Sequence, residues 1–236
     1  MSKKTIKYNS NNEKRRWLGY FDLLGIQNVI KHNNTVSVFV IYQRAIEQII
    51  AREAAIDNVE YVWFSDTFLI YTIDDSIQSF RDINFFCRWF AFFLITGSAV
   101  PVPVRGSISC DSLYVDKEND LFFGKGLVEA YEYGESQNWI GFILCPSAQM
   151  QLEVLGYPAE LRVNYAYTNI PYNKRESKLI KNLPACILGQ GVSPNPCIDS
   201  LIKMRDMVTD DKIIEKYQNS IEFIQRNKRE LAFEAE

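Results

Sequence analysis

Two aspartates stand out because of what surrounds them. Asp22 lies inside Gly19-Tyr-Phe-Asp-Leu-Leu-Gly-Ile26, an apolar run with no other charge. A buried strand rarely tolerates a lone carboxylate without a partner. Asp66 lies in Tyr61-Val-Trp-Phe-Ser-Asp-Thr-Phe-Leu-Ile-Tyr71, between two β-rich runs, where a hairpin turn is expected. Carboxylates at two strand ends are hard oxygen donors, suited to holding one or two divalent cations over a nucleoside triphosphate. A third candidate, Arg105 in Val104-Arg-Gly-Ser-Ile108, follows Pro101 and Pro103, which fit a strand start where no ladder donor is needed.

The elements that must carry these residues are legible as patterns. Arg16 to Leu24 reads as an apolar strand. Phe39, Tyr42, Ile46, Ile49 and Ile50 recur at helical spacing, giving a helix to about Ala55. Val59–Phe64 and Thr67–Ile73 form a hairpin with Ser65-Asp66 at its tip. Asp74-Asp75-Ser76 caps a second helix, striped by Phe80, Ile83, Cys87, Phe90, Ala91 and Leu94 and ended by Gly97-Ser98. A strand runs from Pro101 to Ser109. The order strand, helix, strand, strand, helix, strand predicts an α+β fold, a ferredoxin-like palm with an antiparallel sheet and helices on one face. In that topology the first and third strands are central and antiparallel, and the fourth flanks the first. Asp22, Asp66 and Arg105 then meet at one end of the sheet.

Further on, Leu113–Val115 and Leu121–Phe123 predict a second hairpin around Lys117–Asp120. Gly124–Tyr133 reads as a helix opened by glycines, Trp139–Leu144 as a strand and Pro146–Leu155 as a helix with proline in its first turn. Arg162–Asn169 and Ala185–Leu188 are short and strand-like. Pro196–Leu231 reads as mainly helical, with a stripe of Ile213, Ile214, Tyr217, Ile221 and Ile224. The expected division is a flexible lead-in over 1–15, a catalytic domain over 16–190 and a C-terminal helical segment over 191–236, either an appendage or a dimer contact.

Composition narrows the classes. The 236 residues are 47% hydrophobic and 23% charged, enough to bury a core. A net charge of −3 argues against a broad nucleic-acid surface, and the basic residues at Lys3–Lys7, Lys14-Arg15-Arg16 and Lys174–Lys181 read as solvated. Cys87, Cys110, Cys145, Cys186 and Cys197 show no zinc spacing and suit buried thiols in a reducing cytoplasm. The N-terminal residues are polar and Asn-rich, so no signal peptide is expected. The most apolar window, Phe85–Val104, carries Arg88, Gly97, Pro101 and Pro103, so no membrane span is expected. The single histidine, His32, reads as a surface residue.

Four segments together resemble class III nucleotidyl cyclases. Phe21-Asp-Leu-Leu-Gly-Ile26 is similar to their first metal-binding strand, and Phe64-Ser-Asp66 to the hairpin tip bearing their second metal-binding Asp. Val104-Arg-Gly-Ser-Ile108 resembles their Arg-x-Gly-Ile strand. Phe123-Gly-Lys-Gly-Leu-Val-Glu-Ala-Tyr-Glu132 falls where they carry a glycine-led helix. That last segment, with Gln137-Asn-Trp-Ile-Gly141, is most similar to the pyrimidine cyclases of bacterial Pycsar antiphage systems. The resemblance spans about residues 16 to 150.

The resemblance implies conversion of UTP or CTP to its 3′,5′-cyclic monophosphate and pyrophosphate. It implies two divalent cations, Mg2+ or Mn2+, held by Asp22, Asp66 and the Leu23 carbonyl, with Arg105 completing the catalytic set. Leu24, Gly25, Ile26 and Lys125 would meet the triphosphate. Tyr61 and Trp63 read either as core or as a base-stacking surface. In the family one palm unit supplies metals and another supplies base and transition-state contacts, which implies a homodimer. The product would act on a separate cyclic-nucleotide-binding effector during phage infection, with neither nucleic acid nor membrane as a partner. The alternatives are a purine cyclase of this fold or a palm module that binds nucleotide without turnover. Two departures bear on this. The lysine with which purine cyclases read their base is Val62 here, and the family's helix-borne Asn and Arg fall near Val128 and Glu132, which leaves Arg105 and Lys125 as substitutes.

Overall fold

Alternation along the first strand decides the architecture. Trp17, Phe21 and Leu23 point to one side of the sheet, and Leu18 and Tyr20 to the other, so both faces need a cover. The computed structural model describes residues 7–25, 35–51, 58–97, 101–173, 178–190 and 193–228. In chain order it contains β1 (Glu13–Leu23), α1 (Thr35–Ile50), β2 (Val59–Phe64), β3 (Thr67–Thr72), α2 (Ile77–Thr96), β4 (Val104–Asp116) and β5 (Leu121–Phe123). There follow α3 (Lys125–Ser136), β6 (Gly141–Leu144), α4 (Pro146–Leu155), α5 (Ala159–Asn164), β7 (Tyr165–Asn169), β8 (Asn182–Cys186), α6 (Pro194–Asp206) and α7 (Asp211–Asn227).

The strands form one sheet in the order β2-β3-β1-β4-β6-β8-β7, with β5 paired to β4. Its first half is the expected palm: β1 is antiparallel to both β3 and β4, and β2 to β3. The sheet as a whole is mixed, not purely antiparallel, because β6 runs parallel to β4. The connection between them contains α3, the crossover that a parallel pair requires.

One face of the palm is covered by α2, whose Phe80, Ile83, Phe86, Phe90 and Leu94 are buried with Trp17, Phe21, Phe68 and Ile70. The ring centroids of Phe68 and Phe90 stack at 4.3 Å, and Phe21 meets Phe90 edge-on at 5.6 Å. The other face is covered by α3, whose Ala130 packs with Leu18, Tyr20, Tyr71, Leu113 and Val115. Gly134 lets α3 come this close: a Cβ there would lie 2.7 Å from the Tyr20 ring.

Several boundaries depart from the sequence expectation. Residues 13–15, expected in the lead-in, belong to β1, where Glu13 pairs with Tyr114. Residues 159–164 form a helix before β7, and the C-terminal helical stretch breaks into α6 and α7, with the Asp210 side chain capping α7 through the Lys212 amide. Cys197, Leu201, Tyr217, Ile221 and Ile224 of these two helices belong to the same buried cluster as Trp17 and Phe21. The five cysteines are buried and unpaired. Among the described residues no helix is long and apolar enough to cross a membrane. Ile26 and His32 lie outside the described residues.

Leu201, fully buried, tests whether the C-terminal helices and the sheet share one core. Leu201→Ala is expected to cost about 2–5 kcal/mol and to move a single urea transition followed by both tryptophan fluorescence and far-UV circular dichroism. Two separate transitions, only one of them shifted, would show independent units.

Candidate functional site

Strand register assembles the site. Asp22 is the Cα partner of Thr67 on β3 and of Arg105 on β4. The two-residue turn Ser65-Asp66 joins β2 to β3, with Ser65 in the left-handed region at φ 58°. The Leu23 amide donates to the Asp66 carbonyl at 2.9 Å, which ties the hairpin tip to the end of β1. Asp22, Asp66 and Arg105 therefore stand together, as the topology predicts.

Arg105 holds the centre of this end of the sheet. Its Nε donates to Asp22 Oδ2 at 2.8 Å, and Nη2 lies 2.8 Å from the same oxygen. Nη2 also pairs with the Glu135 carboxylate, and Nη1 donates to the Glu135 carbonyl at 2.6 Å. Tyr20 completes the group by donating its hydroxyl to Glu135 Oε1 at 2.8 Å. Burial is the main influence on Asp22 and pushes its pKa above the usual carboxylate value. The Arg105 guanidinium opposes the shift, and the charges of Glu135 and Asp66 add to it. Burial also drives the Tyr20 phenol upward, reinforced by Glu135, so it remains a proton donor to that carboxylate.

Glu135 was not a candidate from sequence alone. It sits in the last turn of α3, and only the packing of that helix across β1 and β4 brings it to Arg105. The available signal was the glycine at 134, whose missing side chain permits that close approach. Gln137 supports the same region. Its Nε2 donates to the Gly106 and Tyr133 carbonyls, each at 2.8 Å, and its Oε1 accepts from Trp139 Nε1 at 2.6 Å.

Other predicted residues lie elsewhere. Lys125 is exposed at the first position of α3, ten residues before Glu135. At ~1.5 Å of rise per residue that is roughly 15 Å away, so the structure does not bring it to the aspartates. Tyr61 and Trp63 are paired with Ile70 and Phe68, which face α2. Tyr61 stacks on Phe68 at 5.5 Å, and the Trp63 indole donates to the Ser65 carbonyl at 2.6 Å. Both therefore lie on the sheet face opposite Asp22. Their neighbours Val62 and Phe64 pair with Leu69 and Thr67 and so take the Asp22 side. Alternation by two is the reason: a one-residue shift in reading β2 exchanges the faces. Leu23 is buried, and the Leu24 amide is committed to the Pro103 carbonyl at 2.8 Å. Gly25 turns the chain at φ 74°.

On the Asp22 side, Tyr20, Val62, Phe64, Leu69, Phe122 and Tyr131 line a mainly apolar cavity of about 970 Å³, whose lining also takes in part of Trp63. Phe64 is 78% exposed at its edge. The arrangement offers carboxylates at one end of a face and an apolar surface beside them.

Arg105→Ala would leave Asp22 and Glu135 facing each other without the intervening cation. The expected cost is about 2–4 kcal/mol at pH 8. Without Arg105, which lowers it, the Asp22 pKa rises further in the folded variant. The variant then takes up a proton at higher pH than the wild type, and its deficit shrinks as pH falls through that range. Urea titrations of both proteins at pH 8 and pH 5 check this; an equal deficit at both values would contradict the charge-cluster account.

No protein-family model matches the chain, and no curated protein matches it. Solved structures do. The catalytic core of a rhodopsin-guanylyl cyclase with converted specificity, in complex with ATPαS, aligns with a TM-score of 0.53 at 11% identity, covering 74% of this chain and 96% of the other. A double mutant of the guanylyl cyclase domain of the RhoGC fusion protein from the aquatic fungus Blastocladiella emersonii, crystallised as a monomer, aligns with a TM-score of 0.52 at 10% identity, covering 73% and 95%. A dimeric form of that fungal domain aligns with a TM-score of 0.50 at 10% identity, covering 66% and 88%. The chain has the fold of class III nucleotidyl cyclase catalytic domains.

Proposed function

We propose that this protein is a metal-dependent nucleotidyl cyclase that converts UTP or CTP to the 3′,5′-cyclic monophosphate, releasing pyrophosphate. The observation that carries the reading is the union of Asp22 and Asp66 at one end of a cyclase-fold sheet, with the Leu23 amide bonded to the Asp66 carbonyl at 2.9 Å. The donor set fits Mg2+ or Mn2+. Among the described residues no three acidic, histidine or cysteine side chains cluster as a metal cage. Such ions are commonly held by one or two carboxylates together with substrate phosphates and water. Asp22 and Asp66, with the Leu23 carbonyl, would hold them. When bound, the ions supply Lewis acidity for the ribose 3′-hydroxyl and charge neutralisation for the triphosphate.

The chain's own groups set the geometry for in-line attack of the 3′-oxygen on the α-phosphorus. Arg105 and Glu135 fix the orientation of Asp22. In this role Arg105 positions a carboxylate and does not itself touch the reacting phosphorus. The exposed turn at Gly25 would meet the phosphates, since the Leu24 amide beside it is already used. Val62 and Phe64 supply an apolar wall on the same face, without the lysine of purine cyclases at position 62. That wall favours a pyrimidine. The guanylyl cyclase likeness, with one of those proteins holding ATPαS, favours a purine as the second reading.

A homodimer fits the exposure of Phe64, Val128 and Tyr131 around the apolar cavity, a surface suited to a second copy. The role in antiphage signalling, through a separate effector in the cytoplasm, rests on the resemblance carried by Gly124–Glu132 and Gln137–Gly141.

Incubating the protein with Mn2+ and each of the four ribonucleoside triphosphates, followed by mass spectrometry, is expected to yield cyclic UMP or cyclic CMP. Cyclic AMP or cyclic GMP alone would establish the second reading, and no cyclic product at all would refute both. Asp22→Ala and Asp66→Ala are each expected to lower turnover by roughly a thousandfold. Wild-type rates in both variants would remove the metal assignment. Light scattering at assay concentration is expected to show a dimer; a strictly monomeric active protein would contradict that part.

A further inference from the structure

A cation on the last described helix, Lys216, stands near the site without bonding to any of its charged groups. Lys216 lies on α7, which is docked against the segment following α3. Ser220 Oγ accepts from the Ile140 amide at 2.6 Å, Asn219 Nδ2 donates to the Asn138 carbonyl at 2.9 Å, and Asn138 Nδ2 donates to Glu215 Oε2 at 3.2 Å. The edge-on contact of Trp139 with Phe223, at 4.9 Å between centroids, seats the next turn. Lys216 precedes Ser220 by four residues and shares its helix face. The segment it overlies begins at Gln137, whose carbonyl faces Arg105 Nη1 at 3.5 Å. The docking of α7 therefore carries Lys216 toward the Asp22–Arg105–Glu135 group.

Its surroundings agree with this placement. Lys216 is half-buried, and its ammonium makes no hydrogen bond or ion pair with a described residue. Burial lowers its pKa, Arg105 lowers it further, and Asp22, Glu135 and Asp210 at the start of α7 act in the opposite sense, so the charges of the group reach it. Arg105 is already bonded to both carboxylates. A partly desolvated ammonium without a bonded anion is costly, and that cost is recovered when an anion arrives.

We infer that Lys216 is a substrate-binding residue, supplied by the C-terminal helix to contact the outer phosphates of a triphosphate held at Asp22 and Asp66. The inference rests on reading that end of the sheet as a triphosphate site and is independent of which base is used. It gives α7 a direct part in the site: the helix that completes the core also brings the cation that Arg105 cannot supply while it clamps Asp22.

The test uses inorganic tripolyphosphate, which carries the phosphates and no base, in calorimetric titrations with Mn2+ present. The full chain is expected to bind it. Lys216→Met, which keeps the apolar stem, is expected to weaken binding roughly tenfold or more. Lys216→Arg, which keeps the charge, is expected to stay within about threefold of the wild type. Lys212→Met, at an exposed position of the same helix, serves as control and is expected to change nothing. Thermal unfolding of each variant separates loss of the contact from loss of the fold. Wild-type affinity in Lys216→Met, or loss in Lys216→Arg equal to that in Lys216→Met, overturns the inference, as does a wild type that binds no tripolyphosphate. Assaying the same preparations with the four nucleotides keeps the two readings apart. Lys216-dependent tripolyphosphate binding without any cyclic product leaves the inference standing and removes the cyclase reaction.

Discussion

The guanidinium of Arg105 is the interaction on which the candidate site depends. It joins a carboxylate on β1 to a carboxylate on α3, across strands and a helix that are far apart in sequence. Two partly buried acids would otherwise repel across a region poor in water, and the cation between them converts repulsion into a fixed geometry. The arrangement has a functional consequence. In the proposed role of Asp22, an aspartate that is already oriented and partly desolvated would lose little further side-chain entropy on holding a cation.

That interaction requires the helix on the Asp22 face to lie very close to the sheet. Gly134 makes the approach possible against the Tyr20 ring, and Tyr20 in turn hydrogen-bonds Glu135. The opposite face has no such requirement and is filled by large aromatic side chains of α2. The sheet thus separates two tasks. One face supplies stability through dense apolar packing. The other keeps polar groups and an open apolar cavity beside them, an asymmetry that antiparallel palms can sustain because each strand alternates its side chains.

The C-terminal helices connect these two tasks. Their inner face is buried in the main core, and α7 is anchored beside the end of α3 through Ser220 and Asn219. A segment that the sequence leaves open as an appendage or a dimer contact is bound into the fold by apolar area and by satisfying backbone groups at 138 and 140.

Much of this was legible in the residues. The lone charge in Gly19–Ile26, the carboxylate at a hairpin tip and the arginine at a strand start are local signals, and the order of elements determined that they converge. Periodicity likewise identified the palm strands and α2, because a two-residue or helical repeat of apolar side chains reflects a face that must be buried. Tertiary structure decided the rest. Which side of β2 faces the site depends on register, and register is set by pairing with β3, so Tyr61 and Trp63 went to the far face while Val62 and Phe64 took the near one. The partnership of Glu135 with Arg105, the distance of Lys125 from it and the arrival of Lys216 follow from how helices dock. Docking depends on shape and burial summed over many distant residues, and no local stretch of sequence contains that sum.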